Sequence, residues 1–364
     1  MQENDKLSTK QIRALVVSTI VGIGILSLPN RVSLIQGNDG WISIILAGLL
    51  ILPIIAVINK IFELYPNKNF YQIGNQVLGK WVFYIFLLVW LSYQISLISY
   101  LSRNLGELLK AFLLETTPTE VLIISFILTT SYMSRSEIQI IGRAAYHIYP
   151  IIVGFVILLI LVSLTSVDFT NILPLFQSNM KNLPKSIATT FFSYIGYEIL
   201  LFSIPFSEGK EKISNACMVG VGIVILIYII VFLLTLSQYG IQSLQRQSFP
   251  TLSLIKEIDL PGFFIENLDG LVMAVWVLVI FSTMAPIYYS AGKTLSYLFR
   301  TKEHRLFILP LMPIIYKLSL YPQNMIELDE LLGKFINYSG LVVVVLMPIT
   351  IFCVGYFKTR RDKT

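Results

Sequence analysis

Gly22-Ile23-Gly24-Ile25-Leu26-Ser27-Leu28-Pro29 interrupts the middle of an apolar run that extends from about residue 12 to residue 35. The run is long enough to cross a bilayer, for which about 20 apolar residues suffice. Its centre is nevertheless a poor helix. Two glycines two apart leave the backbone uncovered, and Pro29 has no amide to donate. Backbone that leaves the helix inside a membrane is stable only where protein buries it or where it lines a cavity. A second run, at about 186–207, breaks in the same way. Phe192-Ser193-Tyr194-Ile195-Gly196-Tyr197-Glu198 sits near its middle, with Pro205 further on.

Around these two, further apolar runs fall at about 40–62, 82–109, 119–134, 146–165, 214–237, 268–298, 306–321 and 335–357. That makes ten crossings, of which the first and sixth are broken. Interruptions five helices apart are the pattern of two inverted five-helix repeats, with a substrate site at the bilayer midplane. The expectation is an all-α polytopic membrane protein in a five-plus-five permease fold. Residues 1–364 read as one transmembrane domain, with repeats at about 12–165 and 186–321 and the tenth helix at 335–357.

Composition supports this and excludes a soluble enzyme. The chain is 55% hydrophobic and 13% charged, with a mean hydropathy of +0.75, whereas a soluble domain is about a quarter charged. A net charge of +6 could suggest nucleic acid as a partner. The basic residues instead form short clusters between apolar runs, the arrangement that sets membrane orientation. Most of the 27 lysines and arginines fall in the pieces that share a side with both termini, Lys358, Arg360 and Arg361 among them. Both termini are therefore expected in the cytoplasm. Lys10 and Arg13 precede the first run as in a signal peptide, but no small-x-small site follows, so an uncleaved first helix is expected. The longest outer loop, 238–267, carries the amphipathic run Phe249 to Ile258 and should lie on the outer surface.

Polar stripes mark the helices expected around the cavity. The third run carries Ser92, Ser96, Ser99 and Arg103 at helical spacing, with Tyr93 and Tyr100 beside them. The sixth has Ser186, Thr190, Ser193 and Tyr197, and the eighth Ser282, Tyr289 and Lys293 with Thr283 adjacent. Hydroxyls inside membranes also bond to their own helix, so the stripes admit packing as well as binding. Glu198 lies mid-span, where a carboxylate is costly unless paired, protonated or hydrated. It is either a ligand-amine, cation or proton site, or a cap on amides freed by the break. Arg103 and Glu107, four apart, are either an outer gate or a structural pair. Arg31 reads as an interfacial anchor, Lys293 as snorkelling, and Asp269 as a helix-start charge.

Catalytic signals are sparse. His147 and His304 have no companions for a metal, no nucleophile–base pair or P-loop occurs, and Cys217 and Cys353 read as buried free thiols. No enzyme activity, cofactor or metal is expected.

Gly22-Ile23-Gly24-Ile25-Leu26 resembles the substrate-carboxylate loop of the amino acid–polyamine–organocation permeases. The whole chain resembles, more specifically, the endospore germination permeases, the B subunits of nutrient germinant receptors. The likeness runs from Lys6-Leu-Ser-Thr-Lys-Gln11 and Pro29 through Asp39-Gly40-Trp41, Gly142-Arg143 and Pro150 to Gly196-Tyr197-Glu198, Pro205 and Trp276. Two departures, Tyr146 in place of an acidic residue and Asn267 with Asp269 in place of arginine and glutamate, bear on a charge pair between the fifth and eighth helices.

The resemblance implies a multi-pass protein of the spore inner membrane that works with a membrane-anchored A subunit and a lipoprotein C subunit. It would bind a small nutrient and signal germination, with or without conducting solute. An amino acid would place its carboxylate at the amides of Gly22 to Leu26 and its amine toward the carbonyls of Ser193 to Gly196, Tyr194 among them, and toward Glu198. Tyr93, Ser96, Tyr197 and Ser282 would shape the side-chain pocket, and nucleosides are alternative ligands. The competing function is an ion-coupled secondary amino-acid transporter with an ion site at Ser282 and Thr283.

Overall fold

The computed structural model describes residues 6–22, 24–163, 167–256 and 268–361. Ile23 and Asn267, and the side chains of Lys210 and Asp269, lie outside the described residues. The first helix opens on a reciprocal cap. The Gln11 amide donates to Ser8 Oγ at 3.3 Å, and the Ser8 amide donates to the Gln11 side chain at 2.9 Å. From there α1 (Thr9–Val21) runs to the first glycine, and α2 (Gly24–Gln36) resumes beyond it. Gly37 at φ +59° turns the chain back into α3 (Gly40–Leu64). The surface helix α4 (Phe70–Leu78) follows, then α5 (Lys80–Phe112), α6 (Thr119–Ser134) and α7 (Ile138–Ser163).

The second half repeats the pattern of one broken span followed by long ones. Its first helix, α8 (Leu183–Phe191), gives way to irregular turns before the short α9 (Leu200–Ser203). Next come α10 (Lys210–Leu244), kinked at Gly240, the short α11 (Pro250–Lys256), α12 (Leu268–Leu298) and α13 (Arg305–Leu320). The last helix, α14 (Met325–Arg361), is continuous through two π-helical stretches, Asp329–Gly333 and Leu341–Leu346.

Among the described residues, six helical segments are long and apolar enough to cross a bilayer, and the bent pair Met180–Tyr194 and Tyr197–Phe206, angled by 48°, makes a seventh. One of the six, Gly24–Leu64, turns at Gly37, so α3 crosses alone and α2 completes the first span with α1. The remaining two crossings are α6 and α13, each of 16 residues and so about 24 Å long. The fold is the expected all-α permease with its first and sixth spans broken.

Sequence and structure differ at the last helix. Hydropathy starts it at 335, whereas Asn324 caps it by accepting from the Glu327 amide at 2.9 Å, and the helix begins at Met325. Glu327, Asp329 and Glu330 depress the hydropathy of its first turns without breaking them. This places Asp329 and Gly333 on a helix rather than in a loop. Cys217 is buried as expected, but Cys353 is exposed on the outer face of the bundle.

Packing places the first span at the centre. α1 contacts α7, α10 and α12, while α2 contacts α8, α10 and α11. Pro29 leaves the Ile25 carbonyl without its donor four residues on, and Thr251 Oγ1 of α11 supplies one at 3.1 Å. That contact docks part of the 238–267 loop onto α2. On the same side of the bundle, Asp39 fastens the segment before α8. Its carboxylate accepts from the Phe176 amide at 2.7 Å, the Ser178 amide at 2.9 Å and the Ser178 hydroxyl at 2.6 Å. Burial pushes the Asp39 carboxyl up, but these bonds outweigh it and hold it below its ordinary value of 3.8. The tether is thus fully present at neutral pH and is lost only as pH falls through that lowered value.

Candidate functional site

Each break is held open by side chains that satisfy the freed backbone. In the sixth span Gly196 adopts φ +125°. Glu198 accepts from the Gly196 amide at 2.7 Å through one oxygen and from the Tyr93 hydroxyl at 2.8 Å through the other. Of its two readings, this geometry is that of the cap. Tyr197 donates to the Val344 carbonyl at 3.2 Å in the second π stretch of α14, and Tyr194 to the Ile44 carbonyl of α3 at 2.9 Å. The irregular segment is therefore fixed to three helices at once.

The two breaks are also fixed to each other. The Tyr228 hydroxyl lies 3.0 Å from the Ile20 carbonyl and 2.8 Å from the Ser193 carbonyl. Thr283 Oγ1 donates toward the Ser18 carbonyl at 2.9 Å, with the Val279 carbonyl at 3.2 Å. Among the described residues Ser282 bonds to its own helix, donating to the Val279 carbonyl at 2.8 Å.

A cavity of about 320 Å³ lies between the breaks. Of the residues expected to bind, Gly22, Gly24, Ser193 and Thr283 line it. Ile25, Leu26, Tyr93, Ser96, Tyr194, Gly196, Tyr197, Glu198 and Ser282 are not in its wall, and the buried ones among them support the segments that are. Thr19, Ser27, Thr189 and Asn337 add polar side chains to the lining, as do Arg31, Tyr100 and Asp329. The end of α1 thus brings to this space carbonyls that no helical amide reaches, of which Ser18 and Ile20 accept from Thr283 and Tyr228. The start of α2 brings amides that no helical carbonyl reaches. The two helix dipoles meet there with opposite sign.

The cavity mouth carries a cluster that hydropathy does not reveal. Arg31 Nη2 lies 3.1 Å from Asp329 Oδ1 and 3.0 Å from the Tyr100 hydroxyl, which donates to Asp329 at 2.7 Å. Arg31 is therefore no simple anchor, since it joins α2 to α5 and α14 across the mouth. The Arg103–Glu107 pair, at 2.9 Å, lies outside the cavity, with Arg103 reaching the Gln323 carbonyl at 3.5 Å. Within the serine stripe, Ser92 and Ser99 bond to the carbonyls of Val89 and Ile95 on their own helix.

At the opposite end the N-terminal segment clasps the chain beyond α9. The Leu7 amide donates to Phe206 at 2.8 Å and the Glu208 amide to Leu7 at 2.9 Å, while the fully buried Leu7 side chain fits against Gly142. Lys293 pairs with Glu137 at 3.2 Å on this side instead of only snorkelling. Among the described residues no group of three or more His, Cys, Asp or Glu could hold a metal ion.

A family model described as "Spore germination protein" matches residues 6–327. Spore germination protein YndE of Bacillus subtilis (strain 168) is 26% identical over 360 residues, covering 98% of each chain. Spore germination protein GerLB of Bacillus cereus is 26% identical over 361 residues, covering 98% of this chain and 96% of its own. Among solved structures, MhsT in complex with L-phenylalanine superposes with a TM-score of 0.71 at 14% identity, covering 94% of this chain and 87% of that one. Mhp1, a nucleobase-cation-symport-1 family transporter in a closed conformation with bromovinylhydantoin bound, gives 0.68 at 14% identity, with 96% and 80% covered. At that identity the two structures bear on the fold alone.

Proposed function

Because this chain belongs to the spore germination protein family, we propose that it is the nutrient-binding transmembrane subunit of a spore germinant receptor, with a free amino acid as its ligand. The observation that carries this reading is the cavity at the double break. A zwitterion placed there sets its carboxylate against the amides at the start of α2 and its amine against the carbonyls of Thr19 and Ile20 that end α1. Ser193 and Asn337 offer further polar contacts from the wall. A volume of about 320 Å³ is at the small end for ligand pockets and suits a compact nutrient.

Signalling requires that the ligand favour one conformation over another. The Arg31–Tyr100–Asp329 cluster supplies a mouth whose closure over the ligand differs from its open state. The chain works as one permease domain over residues 1–364, with repeats at about 12–165 and 186–321, in the spore inner membrane with both termini cytoplasmic. The bias of lysine and arginine between its loops supports that orientation. Its partners are a membrane-anchored A subunit and a lipoprotein C subunit. The transporter alternative places an ion at the Ser282 and Thr283 hydroxyls, of which Thr283 lines the cavity and Ser282 is not in its wall.

The test is germination of spores in which this chain is the sole receptor of its class, challenged with single nutrients. Deleting it abolishes the response to at least one amino acid, and Arg31→Ala raises the concentration needed about tenfold, the equivalent of a coupling of about 1.4 kcal/mol. Unchanged responses after deletion would contradict the assignment.

A further inference from the structure

On the side of the membrane where α1 begins, a second cleft of about 390 Å³ opens between the start of α5 and the end of α12. Lys80 and Arg300 both line it, together with Asn75, Tyr84, Tyr297 and Thr301, and no carboxylate does. Among the described residues neither cation forms a salt bridge.

Both cations stand where local structure disfavours them. Arg300 closes α12 in a left-handed conformation, φ +57°. The Thr301 amide donates to Ser296 at 2.9 Å and the Arg300 amide to Tyr297 at 3.1 Å, which is the helix stop that glycine normally fills. A side chain there is strained. Lys80 is the first residue of α5, at the positive end of its dipole, where a cation is unfavourable. A residue kept against its backbone preference points to a role for its side chain.

The surroundings identify the ligand class. Trp81, 80% exposed, follows Lys80, and Phe299, 67% exposed, precedes Arg300. A tryptophan exposed at the end of a spanning helix sits at headgroup level. Below them Val82, Ile85 and Leu88 expose an apolar strip of α5. Basic pockets between spanning helices are suited to lipid phosphates. From this placement we infer that the Lys80–Arg300 cleft binds the phosphate of an anionic phospholipid, whose acyl chains lie along the exposed strip of α5.

The experiment is thermal unfolding of the purified full-length chain in detergent, supplemented with phosphatidylglycerol, phosphatidylcholine or inorganic phosphate. Phosphatidylglycerol should raise the midpoint by several degrees more than phosphatidylcholine. Lys80→Gln should lose at least half of that increment. Arg300→Gly is the sharper variant, because it suits the left-handed position. It should melt higher than the parent in phosphatidylcholine and yet gain less from phosphatidylglycerol. An equal increment from phosphatidylcholine, or from inorganic phosphate alone, would overturn the lipid assignment. So would a full phosphatidylglycerol increment in either variant.

Discussion

Spores whose receptor carries Gly196→Ala are expected to lose nutrient-triggered germination by more than a hundredfold. Gly196 sits at φ +125°, a conformation side chains rarely adopt, and its added Cβ would lie 2.6 Å from the Thr19 carbonyl oxygen. That neighbour is backbone, so the clash cannot be relieved by turning a flexible side chain. Strain of this kind costs about 1–3 kcal/mol, and overpacking of a well-packed site costs about 1–3 kcal/mol more. The two together come to about 2–6 kcal/mol, and the middle of that range, about 4 kcal/mol, shifts a conformational equilibrium by more than about a hundredfold. Both breaks suffer, because the displaced atom belongs to the end of α1. Gly154→Ala is the control, since a Cβ there meets nothing within 4 Å. It should leave germination unchanged while immunoblots show comparable protein.

Gly24→Trp is expected to abolish the response to the cognate nutrient while leaving the protein in the membrane. Gly24 lines the cavity, and its added Cβ would lie 3.0 Å from the Ser193 carbonyl oxygen and 3.3 Å from the Tyr228 hydroxyl. An alanine there must push its neighbours by a few tenths of an ångström and should weaken the response by about tenfold, at the lower end of the overpacking range. An indole has only the cavity to enter. Dose–response curves on single nutrients should therefore flatten for tryptophan and shift for alanine.

Much of the fold was legible because a bilayer enforces simple rules. Gly22, Gly24, Gly196 and the prolines near them mark the broken spans in one dimension, and a backbone broken in lipid must be sheltered by protein. The supports of those breaks were partly legible. Glu198 stood out as a mid-span carboxylate, but whether it faces a ligand or the Gly196 amide depends on a rotation that spacing does not encode. The mouth was illegible for a different reason. Arg31, Tyr100 and Asp329 lie far apart in sequence, and the acidic first turns of α14 masked a helix that begins at Met325. Thr283 and Ser282 illustrate the finest limit. They are neighbours with the same chemistry, yet only Thr283 faces the first span, with its hydroxyl directed to Ser18. The role of Thr251 had no signal of its own, because the carbonyl it satisfies is freed by Pro29, hundreds of residues earlier.

The most direct measurement is equilibrium binding of the individual radiolabelled amino acids to the purified chain in lipid nanodiscs, with Gly24→Trp run in parallel. Saturable binding of at least one amino acid at one site per chain is expected, absent in the Gly24→Trp variant. Binding of none of the twenty, or equal binding by the variant, would contradict a ligand site between the broken helices.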